Sequence, residues 1–139
     1  MGEDLKEYLE FHKTFGGTGK LFNFKPIKYS KGVLELEGEF NESTLNPNGT
    51  VQGGMMTAFL DDVTSLLVIY ETKGKLFTAS TDLHSAHHLP LTKGRYRARA
   101  TLIKQGKYIA SIKGEIFNAE GQVATSLLHT AFLVHKKIK

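Results

Sequence analysis

Residues 54–71 read GMMTAFLDDVTSLLVIYE. Met56, Phe59, Leu60, Val63, Leu66, Leu67 and Tyr70 recur at helical spacing and form a wide apolar stripe. The other side carries Ala58, Val68 and Ile69 as well, and between Met55 and Tyr70 the only charges are Asp61 and Asp62. A helix that is apolar nearly all round is buried nearly all round. Lys73-Gly74-Lys75 closes it with a C-terminal glycine. Such a helix has to be wrapped, and its flanks supply strands to do so.

On the N-terminal side, Leu34-Glu35-Leu36-Glu37-Gly38-Glu39-Phe40 alternates strictly, with the glutamates on the face opposite Leu34, Leu36 and Phe40. That is a half-buried strand. Leu21–Phe24 and Ile27–Tyr29 read as short strand pieces broken by Pro26. Before them, Leu5, Tyr8, Leu9 and Phe15 lie at helical spacing over residues 4–15, and Gly16-Gly17-Thr18-Gly19 ends that helix. The glycine run lacks the Gly-Lys-Ser/Thr spacing of a phosphate loop. On the C-terminal side four strands follow, over 76–89, about 95–102, 108–118 and 123–134, with turn signals at Lys104–Lys107 and Asn118–Gly121. Antiparallel strands around one helix make the fold class α+β.

The chain has 139 residues, a formal charge of +4 and no cysteine. One compact domain fits that length, burying roughly two-thirds of its unfolded surface. The absence of cysteine excludes a disulfide scaffold, a cysteine nucleophile and thiolate metal ligands. The N-terminal stretch MGEDLKEYLEFHKTF opens acidic, unlike a secretory signal, and no run approaches the ~18 apolar residues of a membrane span. The expectation is a cytoplasmic protein with neither membrane nor nucleic acid as partner.

Chemistry concentrates around the buried helix. The segment Asn46-Pro47-Asn48-Gly49-Thr50-Val51-Gln52-Gly53-Gly54 runs straight into it. Two glycines at a helix start leave bare N–H groups at the positive end of the dipole, a place for an anion or for a carbonyl becoming an oxyanion. A tight loop alone would also use two glycines. At 100° per residue Asp61 sits about 170° from the centre of the apolar stripe and Asp62 about 90°. Asp61 either faces water or, given its neighbours Thr57, Ala58 and Val68, lies in an enclosed site that tunes it as base or nucleophile. His84 and His88 share one strand face and His87 takes the other, which argues against a metal site. Arg95, Arg97 and Arg99 form a basic stripe, read as a solvated sheet face ahead of a phosphate site.

The run Asn46…Gly49-Thr50-Val51-Gln52-Gly53-Gly54…Asp61 resembles the signature of hotdog-fold acyl-CoA thioesterases of the PaaI-like branch. The likeness continues through Ser80-Thr81-Asp82-Leu83, Pro90, Gly94 and the closing strands with Gly106 and Gly121. It covers residues 30–135 in outline. The resemblance implies a hotdog fold, a curved antiparallel sheet around one long central helix. It implies a single hotdog domain over 1–139, with residues 1–20 a helical extension and about 21–139 the core. It further implies hydrolysis of an acyl-CoA to CoA and a free acid. Asp61 would be nucleophile or general base, with Gly53 and Gly54 N–H groups as oxyanion hole. Asn46 and Ser80 would position water or carboxylate, and Gln52 stands where many members have histidine. No metal and no cofactor is implied beyond the CoA of the substrate. The implied assembly is a homodimer, or a homotetramer as a dimer of dimers, with the site at the interface. An alternative is a hotdog module that binds acyl-CoA without turnover, as sensor or carrier. Met55, Met56, Phe59 and Phe77 are candidate pocket residues, and Arg97, Lys104 or Lys107 candidate contacts for CoA phosphates.

Overall fold

A computed structural model describes residues 2–135; Met1 and residues 136–139, the outermost parts of the expected domain, lie outside them. The elements are α1 (Gly2–Phe15), α2 (Gly17–Phe22), β1 (Lys25–Ser30), β2 (Val33–Phe40), a 3-10 turn (Glu42–Thr44), α3 (Gly53–Glu71), β3 (Leu76–His87), β4 (Gly94–Gln105), β5 (Ile109–Phe117) and β6 (Val123–His135). The strands form one antiparallel sheet in the order β1-β2-β4-β5-β6-β3, with β1 and β3 at its edges. Pro26 is tolerated because β1 is an edge strand.

α3 lies across one face of this sheet, as its all-round apolar sequence requires. Met56, Phe59, Leu60, Val63, Thr64, Leu66, Leu67 and Val68 are buried. Two sheet glycines let the helix come close. A Cβ on Gly38 would fall 2.5 Å from Phe59 Cε2, and one on Gly114 would fall 3.0 Å from Thr64 Cγ2. The fold is therefore the expected α+β hotdog arrangement, a sheet around a central helix.

Leu21–Phe24 is not a strand. Gly17–Phe22 is a short helix, and Asn23 follows it in the left-handed region at φ 47°. Gly16 breaks α1, but the glycine run does not end the helical region. A Cβ on Gly19 would lie 2.4 Å from His12 O, so glycine there lets α2 fold back tightly on α1. Asn23 then turns the chain so that Phe22 and Phe24 both enter the core. Their spacing of two imitated a strand. They join Phe40 and Phe59 in an aromatic cluster with ring centroids 4.7–5.8 Å apart. Of the apolar face expected for α1, Leu5 and Leu9 are buried in the main core, whereas Phe15 is exposed.

The arginine stripe is a paired surface. The β2–β4 register sets Glu35, Glu37 and Glu39 opposite Arg99, Arg97 and Arg95. Arg97 lies 2.9 Å from Glu35 Oε1 and 4.2 Å over the Phe117 ring, and Arg95 pairs with Glu37 and Glu39. None of the helices among the described residues is long and apolar enough to cross a membrane.

Candidate active site

Two polar clusters lie along α3. The first is at its N-terminus. The loop leading in is pinned at several points: Thr44 is buried, Leu45 bridges Val51, Gln52 N–H donates to Thr44 O at 2.9 Å, and Val51 N–H donates to Leu91 O at 2.8 Å. Asn46 is occupied within this loop. Its Oδ1 accepts from the N–H groups of Asn48 and Thr50, and its Nδ2 donates to Thr50 Oγ1 at 2.8 Å. Asn46 thus shapes the approach to the helix, and its amide has one N–H left. Gln52 is the exposed N-cap residue and makes no side-chain cap bond. The Gln52 carbonyl accepts from Met55 and Met56, so the N–H groups of Gly53 and Gly54 precede the intrahelical ladder. Gly54 is exposed, and a Cβ there would meet nothing within 4 Å.

The second cluster surrounds Asp61, two turns along. Its side chain is 37% exposed, between the two extremes that the sequence left open. Ser65 and Ser80 hydroxyls each donate to Asp61 Oδ1 at 3.5 Å, and Thr78 donates to Ser65 at 2.6 Å. Desolvation raises the Asp61 pKa above the ordinary carboxylate value; His129 opposes that, and Asp62 adds to it. Ser80 reaches Asp61 from β3 because of a bulge between Ser80 and Asp82. The bulge puts Ser80 in register with Ala131 and, further on, His87 in register with Thr125, all on the face that covers α3.

His129 was not among the candidates read from the sequence. It is fully buried on β6, with Nδ1 2.7 Å from Thr64 Oγ1, Nε2 2.8 Å from Ser80 Oγ, and Asp61 Oδ1 at 4.0 Å. Burial lowers its pKa and Asp61 partly restores it. Its signal was a histidine in the inward series Leu127, His129, Ala131, Leu133, where the other members are apolar. Asp62, the neighbour of Asp61, points elsewhere. Its Oδ1 is 3.5 Å from His12 Nε2, and its Oδ2 is buried with no partner among the described residues.

The glycine end and Asp61 are not brought together within one chain. Seven residues of α-helix separate Gly54 from Asp61, about 10 Å along the axis. The histidines at the end of β3 and just beyond it do not converge either: His88 bonds Ser126 and His87 bonds Thr125. Among the described residues no three His, Asp or Glu side chains gather as metal ligands.

The thioesterase superfamily model matches residues 48–125, more than half of the chain. The chain belongs to the thioesterase superfamily. The proofreading thioesterase EntH of Klebsiella pneumoniae is 26% identical over 103 residues, 73% of this chain and 75% of that protein. A phenylacetic acid degradation-related protein of Ralstonia eutropha JMP134 superposes with a TM-score of 0.82 at 25% identity, covering 92% of this chain and 98% of its own. A Streptococcus mutans protein solved with acetyl-CoA bound shares the fold, with a TM-score of 0.74 at 17% identity over 84% of this chain and 92% of its own. These likenesses place the chain in the PaaI-like hotdog group, and thioester hydrolysis is the activity they support.

This thioesterase-superfamily chain also has a cavity of about 740 Å³ between α1 and the C-terminal half of α3. Phe11, His12 and Phe15 line one side, and Leu66, Ile69 and Phe77 another. Of the four pocket residues expected from sequence, only Phe77 lies here. Met56 and Phe59 are core side chains, at 4% and 0% exposure, and Met55 is half-buried.

Proposed function

We propose that the protein hydrolyses an acyl-CoA to CoA and a free carboxylic acid. The observation that carries this reading is Asp61, a carboxylate set on the central helix, bonded by two serines and raised in pKa by desolvation. A base whose pKa moves toward neutrality is better matched to proton transfer at working pH. Asp61 either takes a proton from water that attacks the thioester carbon or attacks it directly. The carbonyl oxygen, gaining charge, is met by the N–H groups of Gly53 and Gly54 at the positive end of α3. The tetrahedral intermediate then collapses and CoA leaves as thiolate; where water attacked, the free acid is formed at once, and where Asp61 attacked, water next cleaves the Asp61–acyl anhydride to the free acid and restores the carboxylate.

Asp61 and the glycines of one chain are too far apart to act on one carbonyl, so a second copy supplies the missing half. The assembly is a homodimer or a pair of dimers, with Asp61 of one protomer facing the glycines of its partner. Ser80 and Ser65 hold the Asp61 carboxylate, and His129 holds Ser80. Asn46 supports the loop, and Gln52, which does not titrate near neutral pH, borders it. The cavity beside α1 receives the acyl group, since Leu66 on its wall lies about 7 Å along the helix from Asp61. The proposed setting is the cytoplasm, as expected from the sequence, a compartment in which acyl-CoA esters are at hand. The acetyl-CoA held by the S. mutans fold neighbour is in keeping with a CoA substrate.

The test is thiol release from short, medium, long and aryl acyl-CoAs, with wild type beside Asp61→Asn. Turnover that falls by about 10²–10⁴-fold in the variant is expected. Acyl-CoA binding without thiol release by wild type would overturn hydrolysis in favour of a carrier or sensor.

A further inference from the structure

The glycine end of α3 has a titratable side chain that the mechanism above leaves unused. His87 is the last residue of β3. A Cβ on Gly53 would lie 3.1 Å from His87 Nε2 and 3.3 Å from its Cδ2, so the Nε2 edge of the ring rests against the first residue of the helix. The far edge is fixed by β6. His87 Nδ1 is 3.2 Å from Thr125 Oγ1, and Thr125 gives its hydroxyl hydrogen to Met56 Sδ at 3.2 Å. A threonine hydroxyl has one hydrogen, so toward His87 its oxygen accepts. With the hydroxyl hydrogen assigned to Met56, the imidazole proton is assigned to Nδ1 and the Nε2 lone pair lies beside Gly53. The positive end of α3 disfavours a second proton on the ring.

A lone pair cannot stabilise an oxyanion, but it suits an N–H donor. In a CoA thioester the first such donor is the amide N–H two methylenes beyond the sulfur. The Gln52 side chain, on an exposed residue and making no cap bond, offers no imidazole here. We propose that His87 is a specificity-determining residue of the glycine half-site, its Nε2 accepting a hydrogen bond from the CoA amide nearest the thioester sulfur. The proposal rests on the thioesterase reading above and adds a reason for preferring CoA to a simple thiol.

The charges around His87 leave its state to its own ring. Just after β3, His88 bonds Ser126; β6 faces His87 with Thr125; α3 carries no charged side chain before Asp61; and Lys93, in the loop that follows, pairs with Glu42. Desolvation and the nearby His88 hold the His87 pKa below the ordinary histidine value.

The experiment compares two thioesters of one acyl group, the CoA ester and the ethanethiol ester, which has no amide. Wild type, His87→Ala and His87→Gln are assayed, with Asp61→Asn as control. His87→Ala should lower kcat/KM for the CoA ester about 5- to 10-fold, the worth of one hydrogen bond, and leave the ethanethiol ester unchanged. Glutamine, with an acceptor oxygen, should restore part of the difference. In wild type the preference for the CoA ester should fade as pH falls through the lowered His87 pKa. Equal slowing of both esters by His87→Ala, or of neither, overturns the proposal. Full activity of Asp61→Asn would instead overturn the reading on which it rests.

Discussion

Replacing Gly54 by alanine separates what the site needs from what the fold needs. Gly54 is helical and exposed, and an added Cβ would find no atom of the chain within 4 Å. Alanine restricts the unfolded chain more than glycine, so the fold should gain about 0.4–1 kcal/mol. For a chain of this size that is a Tm rise of about 1–4 °C. The space the methyl fills is the space in which a carbonyl oxygen would meet the Gly54 N–H. The donor survives, but the carbonyl is pushed back by about 1 Å, a displacement that costs up to 100-fold in rate. The expected outcome is a more stable protein whose kcat/KM falls about 10- to 100-fold. Thermal unfolding followed by circular dichroism and a thiol-release assay measure the two halves. Unchanged kcat/KM beside the raised Tm would refute the placement of the thioester carbonyl at Gly54. A lowered Tm would refute the view that this helix start stands free of the rest of the chain.

Asp61→Asn should cost activity but not stability. The folded pKa of Asp61 is raised above the value near 3.8 that it has unfolded, so the folded state binds its proton more tightly and Asp61 subtracts from stability once pH exceeds both values. The melting temperature of Asp61→Asn should match wild type near pH 3 and overtake it as pH rises toward 7; a variant that melts lower at neutral pH would contradict the desolvation account. Gly38→Ala should behave in the opposite way. Its Cβ would fall 2.5 Å from Phe59 Cε2 and 2.8 Å from Phe24 Cδ1, and overpacking of this kind costs about 1–3 kcal/mol. The urea midpoint should drop with an unchanged m-value, and a neutral substitution would mean that α3 can move off the sheet at little cost.

The elements that periodicity reveals best were those with one strong pattern. α3 and β2 were readable to within a residue or two, because an all-round apolar helix and a strict Leu-Glu alternation each leave one interpretation. α2 was not readable. Phe22 and Phe24 face the same core across a left-handed Asn23, and from sequence that is indistinguishable from two positions on one strand face. In the site, Asp61 stood out as a charge on an apolar helix, and Gly53-Gly54 by position. The bonding of Ser80 to Asp61 depends on a bulge that shifts strand alternation by one residue. Simple alternation from His84 and His88 puts Ser80 on their face, whereas the bulge puts it on the face of His87. His129 depends on tertiary pairing alone, since only the β6–β3 register brings its ring to Ser80.

The same geometry bears on where the proposed site would be put together. On the proposed reading, α3 holds a donor pair at one end and a carboxylate about 10 Å away, a spacing that a rigid helix cannot close. β3 flanks the carboxylate and is the last strand of the sheet, with Ala79–Asp82 exposed and no strand beyond it among the described residues. An open strand edge invites pairing with another chain. On the proposed reading a two-fold axis there would be self-complementary, pairing each β3 with its equivalent and turning the two α3 helices so that each glycine end approaches the other's Asp61. On that arrangement the edge that would expose a lone chain to indiscriminate pairing is the edge whose pairing would complete two sites at once. The desolvation borne by Asp61 in a single chain would deepen on dimerisation, raising its pKa further. Association should therefore weaken as pH rises through the raised Asp61 pKa in wild type and lose that dependence in Asp61→Asn, a difference sedimentation would resolve.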